Sequence, residues 1–411
     1  MEKLGQEKQQ QYLGDFVLEN QTVAKDFKNV SKAWEDKCLS YDEVLDKVAE
    51  GQRMIEDIRS PLSDWKPAVS ADGECVLQYK DGRSFAPTQH ALKHLAVNGY
   101  LSTGYLQGLG RDKEHPTKGG FLFTRDSGDA ELMAYTLEKT LFRSDRVDQD
   151  KERLFRTWTD GTLRAMLSHQ YAIINNSWFM ETVTKTVKDG LISHWRGDHD
   201  NIFGNILIPD SVREEDDSDY GGMLSIGNSE IGMRTMSSQP SVFRAICMNG
   251  CIWDKESGSA IKQVHKGNID LTLLREEIIE NLTAQIPLVD SGIDVLLKLR
   301  EHKVNGVAPM SNVIAQTVKG FGITKKHATG VLEAFLVEKD ILGNEANSAF
   351  GVVNAITRFG QTLDDASWLK LDQVGGEMAN ITAPRWEALV NQAKVMSDKE
   401  IEKSFSKSLA V

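Results

Sequence analysis

Four potential metal ligands, His194, Asp198, His199 and Asp200, crowd into the stretch HWRGDHDN. Imidazole and carboxylate donors this close could hold zinc or a hard divalent cation and activate water against a phosphodiester. No H-E-x-x-H register fixes these side chains on one helix face, and a polar turn between Leu191 and Ile202 accounts for them equally well. A metal-dependent nuclease using His194, Asp198 and His199 is therefore the third reading of the chain, and no residue is assigned as a metal ligand.

Cations interleaved with aromatic rings offer a different chemistry. Arg143, Arg146, Lys151, Arg153 and Arg156 precede Trp158, and Arg164 and His169 precede Tyr171. Proteins that hold single strands combine a basic groove along the phosphates with aromatic faces on which bases stack. Asp145, Asp148, Asp150 and Glu152 stand between these cations and cancel much of their field. A second basic series, Arg234, Arg244, Lys262, His265 and Lys266, is spread over Ser225–Asn268. That stretch is rich in Gly, Asn and Ser, which suits short strands joined by turns that present polar groups on loops.

Other chemistries find no support in motif or spacing. There is no G-x-x-x-x-G-K-[ST] phosphate loop and no G-x-S-x-G elbow, and Gly108-Leu109-Gly110 lacks the third glycine of a dinucleotide fingerprint. Cys247 and Cys251 are spaced C-x3-C without a second ligand pair, so they read as core thiols. Lys319–Ala328 carries the glycines and cations of a helix–hairpin–helix, but its alanine falls late, and an inter-helix turn with Thr324 as N-cap fits better. The expectation is a protein with no cofactor and no catalytic residue.

The elements that must position these groups follow from patterning. Residues 1–64 read as a charged helical arm, with Val44, Leu45, Val48, Met54, Ile55 and Ile58 at near-helical spacing. Residues 65–267 read as an α+β core domain rich in antiparallel hairpins. Its turn signals are Lys80-Asp81-Gly82, between Glu74–Tyr79 and Arg83–Phe85, and Asp160-Gly161, between Arg156–Thr159 and Thr162–Leu167. Gly120–Thr124, Asn201–Ile208 and Val242–Met248 are further strand candidates, and Ala130–Phe142 and Ser177–Lys188 are helices. In the first of these helices Leu132, Tyr135, Leu137 and Leu141 form the expected buried stripe.

Residues 268–411 read as a helical C-terminal region. A stripe of Leu271, Leu274, Ile278, Leu282 and Ile286 ends or kinks at Pro287, and helices follow over Ile293–Leu299, Asn312–Val318, Lys325–Val337, Phe350–Phe359 and Arg385–Val395. The 411 residues suffice for two or three domains, and the formal charge of −12 argues against a uniformly basic coat while leaving room for a local basic groove. Glu214, Glu215, Asp216, Asp217 and Asp219 read as a solvated acidic loop. Four cysteines, Cys38, Cys75, Cys247 and Cys251, make no disulfide framework. With no apolar signal at the start and no run long enough to span a membrane, a cytoplasmic protein with reduced thiols is expected.

Three stretches together resemble a phage- and plasmid-borne family catalogued as a domain of unknown function. They are DGTLRAMLSHQYAIINNSWF, GNSEIGMRTMSSQPSVFRAICMNGCI followed by His265-Lys266-Gly267, and GVVNAITRFGQTLDDASWLKLDQVGGEMA. The middle one carries the family's N-S-E-x-G and C-x-N-G runs. The resemblance covers about residues 70 to 380 and implies a mobile-element protein acting in DNA metabolism, with a distant fold similarity to phage single-strand annealing proteins.

The expected function is binding of single-stranded DNA by a homo-oligomer in the host cytoplasm. Arg164, Arg234, Arg244, Lys262, His265 and Lys266 would serve the phosphates, and Trp158 and Tyr171 would stack on bases. Asn228, Ser229, Asn249 and Gly250 would shape the loops or donate to phosphate oxygens. The alternative is an acidic module that docks a host protein, as an anti-defence or host-takeover factor would.

Overall fold

The computed structural model describes residues 38–109, 127–197, 200–215, 218–245, 249–252, 261–304, 306–363 and 365–405. The chain folds as α+β with largely antiparallel sheets. Helix α1 (Tyr41–Met54) starts in a capping box: the Ser40 side chain accepts from the Glu43 backbone, and the Glu43 carboxylate accepts from the Ser40 backbone. Val44 and Val48 are buried, as the arm's pattern predicts. The helical pattern fails at Ile55. Ile55–Pro61 is strand β1, paired antiparallel with strand β5 (Glu152–Trp158), so Ile55 and Ile58 belong to a sheet rather than a helix stripe. Alternation over such a short apolar run cannot by itself separate strand from helix; the partner strand decides.

The first sheet contains β2 (Trp65–Val69), β3 (Cys75–Tyr79), β4 (Ser84–Pro87) and β6 (Thr162–Ser168), in the order β1-β5-β6-β4-β3-β2. Both expected turns are present. Gly82 and Gly161 take φ of +97° and +88°, values that L side chains rarely adopt. Only the β4–β6 pair in this sheet is parallel.

One face is covered by helix α2 (Gln89–Asn98), capped by Thr88, by α3 (Thr103–Leu109), and by α4 (Ser127–Leu137), which runs into a π turn at Glu138–Phe142. Leu92, Leu95, Met133, Leu137, Phe155 and Leu163 share this core, and Trp65 stacks on Phe155 at 4.2 Å. The stripe predicted for α4 is only half right. Leu137 and Leu141 are buried, but Leu132 and Tyr135 face solvent, and Ala130 and Met133 take their place. The strand expected at Gly120–Thr124 lies outside the described residues.

Helix α5 (Asn176–Thr186) leads to a second sheet of β7 (Leu191–Gly197), β8 (Asn201–Glu214), β9 (Asp219–Ser229), β10 (Met236–Arg244) and β11 (Asn249–Ile252). The strand order is β11-β10-β9-β8-β7, and β12 (Ile261–Gln263) also pairs with β10. Strand β10 begins earlier than Val242 and includes Pro240; Cys247 lies outside the described residues. Of the acidic block, Glu214 on β8 pairs with Asp219 on β9, and Asp216 and Asp217 lie outside the described residues.

One face of this sheet packs on α1, α5 and α6 (Leu271–Gln285) through Val44, Phe179, Ile206, Leu224 and Ile278. Helix α6 ends before Pro287, as the ring's clash with the preceding turn requires. The rest is a helical layer: α7 (Leu288–Lys298), α8 (Met310–Gly320), α9 (Lys325–Leu342), α10 (Ala349–Gly360), α11 (Asp365–Ala379), α12 (Ala383–Lys394) and α13 (Asp398–Ser404).

Tyr220 and Val242 join the core of this layer, tying it to the second sheet. Helices α9 and α10 approach so closely at Gly330 that an added Cβ would lie 2.0 Å from the Phe359 ring. Among the described residues no helix is long and apolar enough to cross a membrane. Cys38 and Cys75 form no disulfide among the described residues, and burial pushes the Cys75 thiol up to about 12.

Candidate nucleic-acid interface

The β5–β6 hairpin projects Arg156 and Arg164 from the sheet face opposite Phe155 and Leu163. Both side chains are fully buried, and burying an unpaired guanidinium would be prohibitive. Each therefore sits in a charge network. Arg156 donates to Asp57 on β1 (3.0 Å), to the Asn175 side chain (3.0 Å) and to the Glu230 backbone (2.7 Å).

Arg164 pairs with Asp200 and with Glu230 (2.8 Å), its guanidinium 5.1 Å from the centre of the Trp158 ring. Glu230, just past β9, also accepts from the Asn176 backbone N–H at 2.8 Å, which places a carboxylate on the positive end of α5. Burial alone would lower the Arg164 pKa, but Asp200 and Glu230 outweigh it and raise that pKa above its ordinary value.

A second layer of contacts lies beside this network. The Tyr171 and His265 rings stack at 5.2 Å, the Tyr171 hydroxyl donates to the Ser229 carbonyl (3.1 Å), and His265 Nδ1 lies 3.1 Å from the Ala172 carbonyl. Asn228 donates to the Ile174 carbonyl and to Asn176 Oδ1, both at 2.9 Å. The Ser229 hydroxyl accepts from Met233 N–H at 3.0 Å and so shapes the turn after β9. Gly267 N–H donates to Gln170 at 2.8 Å. Residues of Asp160–Phe179, the N-S-E run and His265-Lys266-Gly267, far apart in sequence, thus meet in one place.

Their placement corrects the expected roles. Trp158, Arg164, Tyr171, Asn228, Ser229 and His265 are all buried and cannot touch a nucleic-acid strand without unpacking the site. Arg244 is buried elsewhere: it pairs with Glu338 at 2.9 Å and lies 5.3 Å from the Phe350 ring centre, against the helical layer. Asn249 and Gly250 pair with Arg244 and Phe243, while Lys262 sits opposite Ser237 at the other end of β10. The twelve expected residues therefore do not form one groove.

Lys262 and Lys266 are exposed, and Arg234 is half-buried above the Phe203 ring at 5.5 Å. A cation the sequence reading missed joins them: exposed Arg59 donates to the His169 (3.1 Å) and Tyr171 (3.5 Å) carbonyls.

The metal-ligand reading fares no better. His194 is buried edge-on to Trp368 (5.0 Å), Asp200 is engaged by Arg164, and Asp198 and His199 lie outside the described residues. Among the described residues no three His, Cys, Asp or Glu side chains converge in a metal-binding group.

Helix α2 adds two histidines that the sequence reading passed over. His90 Nε2 lies 2.9 Å from the Ile231 carbonyl, and the His90 and His94 rings meet edge-on at 4.4 Å. Burial, then the neighbouring His90 and Lys93, push His94 down to about 3. Burial likewise lowers His90 and His265. The unfolded chain takes up these protons near the ordinary value of 6.5, so below that pH it binds more protons than the folded chain. Stability is full above 6.5 and is lost as the pH falls toward 3. Between about pH 6.5 and 5, His94 alone is expected to remove about 2 kcal/mol. Urea titrations at both pH values check this; His94→Gln should flatten the slope.

Comparison of the chain with family models, with curated proteins and with solved structures found no match.

Proposed function

We propose that this protein binds single-stranded nucleic acid through the exposed rim of Arg59, Lys262 and Lys266, with Arg234 beside it. The observation that carries this reading is the contrast between the rim and its base. Arg59 and Lys262 stand on strands β1 and β12, and the turn bearing Lys266 is clamped by Tyr171, His265 and Gln170 over a network of two buried arginines and three carboxylates. Cations on a rigid base lose less conformational freedom on meeting phosphates than cations on a loose loop. The resemblance to a mobile-element family supports the same reading, as does a local positive rim on a chain of charge −12, since binding follows the local field. Assembly into a homo-oligomer in the host cytoplasm belongs to this proposal.

Fluorescence anisotropy with single- and double-stranded oligonucleotides at two salt concentrations tests it. The wild-type protein is expected to prefer single strands and to weaken as salt rises. Lys262→Ala combined with Lys266→Ala should weaken binding and flatten the slope of log K against log salt by about 1.4, from about 0.7 per released counterion. Absence of binding at low salt overturns the reading, and the acidic interaction module then takes its place.

A further inference from the structure

The stacking rings that such a protein needs are not the buried Trp158 and Tyr171. Among the described residues, the exposed tyrosines lie on the helices covering the first sheet or just past the end of α2. Tyr100, Tyr105 and Tyr135 are 70%, 45% and 60% exposed, with Val97 beside them at 62%. The elements that carry them adjoin. Helix α2 packs on α3 and α3 on α4, and a Cβ on Gly99 would lie 3.1 Å from Thr140 Oγ1 in the π turn.

Two cations accompany the rings. Lys139 lies 5.6 Å from the centre of the Tyr135 ring, and exposed Lys93 stands one turn before Val97 on α2. Neither lysine forms an ion pair with a carboxylate among the described residues. Of the three carboxylates on α4 and its π turn, Glu138 is paired with Arg143 at 2.8 Å, Glu131 lies one turn from Tyr135 toward the N-terminus, and Asp129 lies further back in the first turn.

The backbone supplies a second, independent sign. Helix α2 ends with Leu101 N–H bonded to the Ala96 carbonyl, which closes a 6→1 loop around a residue in the left-handed region. That position is ordinarily glycine, yet here it is Tyr100 at φ +56°, while Gly99 next to it sits at −88°. The chain accepts backbone strain to hold an aromatic ring in solvent, and strain of this kind gathers at functional sites. The other end of α2 reaches the rim's neighbourhood, because His90 contacts Ile231 beside the turn shaped by Ser229.

We infer that a single strand of nucleic acid leaving the Lys262–Lys266 rim runs along α2 and stacks its bases on Tyr100, Tyr105 and Tyr135, with Lys93 and Lys139 at its phosphates. This rests on the single-strand reading above. Tyrosine rings in solvent beside lysines with no ion-pair partner among the described residues are complementary to a flexible polyanion with aromatic bases.

The test uses the full chain with a single-stranded oligonucleotide, read by anisotropy and by quenching of tyrosine fluorescence, with thermal unfolding and light scattering alongside. Tyr100→Gly and Tyr135→Ala are each expected to weaken binding about tenfold and to leave the salt slope unchanged, whereas Tyr135→Phe binds like wild type. Because glycine relieves the strain, Tyr100→Gly should keep or raise the unfolding midpoint while weakening binding, a combination that a merely structural role does not give.

Wild-type binding that both tyrosine variants retain overturns the path while leaving the rim in place. A wild-type protein that binds no oligonucleotide overturns rim and path together. Loss of concentration-dependent scattering in the tyrosine variants, with oligonucleotide affinity unchanged, would make this face a contact between copies of the chain and would also overturn the path.

Discussion

Glu230→Ala is expected to lower the free energy of unfolding by about 3–5 kcal/mol, the range found when one partner of a buried ion pair is removed. Glu230 is 2% exposed and serves three donors at once: Arg164, Arg156 through its backbone and carboxylate, and the N–H of Asn176 at the start of α5. Alanine leaves two guanidinium groups, each fully buried, with a smaller complement of acceptors. It also uncaps a helix whose N-cap, Asn175, makes no side-chain capping bond. Glu230→Gln keeps the oxygen and the shape and loses only the charge, so its expected cost is smaller, about 1–2 kcal/mol. Urea unfolding of the three proteins gives the ordering. An alanine variant as stable as wild type would mean that the network contributes nothing to the stability of the fold. The midpoint should fall without a change in m-value, because the same surface is exposed on unfolding.

The network also shows what could be read from the chain and what could not. The turns at Gly82 and Gly161 were legible because only a few residue types satisfy a positive φ. The stop before Pro287 was legible for an equally local reason. The importance of the N-S-E run was visible as a pattern, but the role of its glutamate was not. Asp57, Arg156, Arg164, Asp200 and Glu230 sit on different strands or loops and become one cluster only when the two sheets meet.

Sequence spacing cannot distinguish an arginine aimed at phosphate from one aimed at a buried carboxylate. Arg164 and Arg244, read as groove cations, are therefore interior ion pairs, and Trp158 and Tyr171, read as stacking rings, are buried, Trp158 against Arg164. One signal went unused. A lone Glu closing an otherwise apolar or small-residue run, DYGGMLSIGNSE, is costly unless it meets cations, and it should have directed attention to the arginines of β5 and β6. The α4 stripe failed for the opposite reason. Helical periodicity admits two neighbouring faces there, and the sheet selects the one with Ala130 and Met133, leaving Tyr135 in solvent.

The second large effect concerns Arg244, and its pattern separates an interior pair from a phosphate contact. Glu338 on α9 is fully buried and accepts from Arg244 at 2.9 Å and from Arg358 on α10 at 2.7 Å, so one carboxylate joins β10 to two helices. Glu338→Leu strands the Arg244 guanidinium in the interior and is expected to cost about 3–5 kcal/mol. Arg244→Met should cost less, because Glu338 keeps its pair with Arg358, itself 15% exposed. Combining the two replaces a buried pair with apolar groups of similar length, and such swaps are often neutral or better.

The double variant is therefore expected to lie nearer Arg244→Met than Glu338→Leu, with a coupling energy of about 2 kcal/mol by double-mutant cycle. Binding gives the decisive contrast. A phosphate-contacting arginine flattens the salt slope when removed; an interior one does not. Arg244→Met protein that remains folded should bind single strands with the wild-type salt slope, while Lys262→Ala and Lys266→Ala change it. A flattened slope in folded Arg244→Met would instead mean that the pair with Glu338 opens to let a strand reach β10.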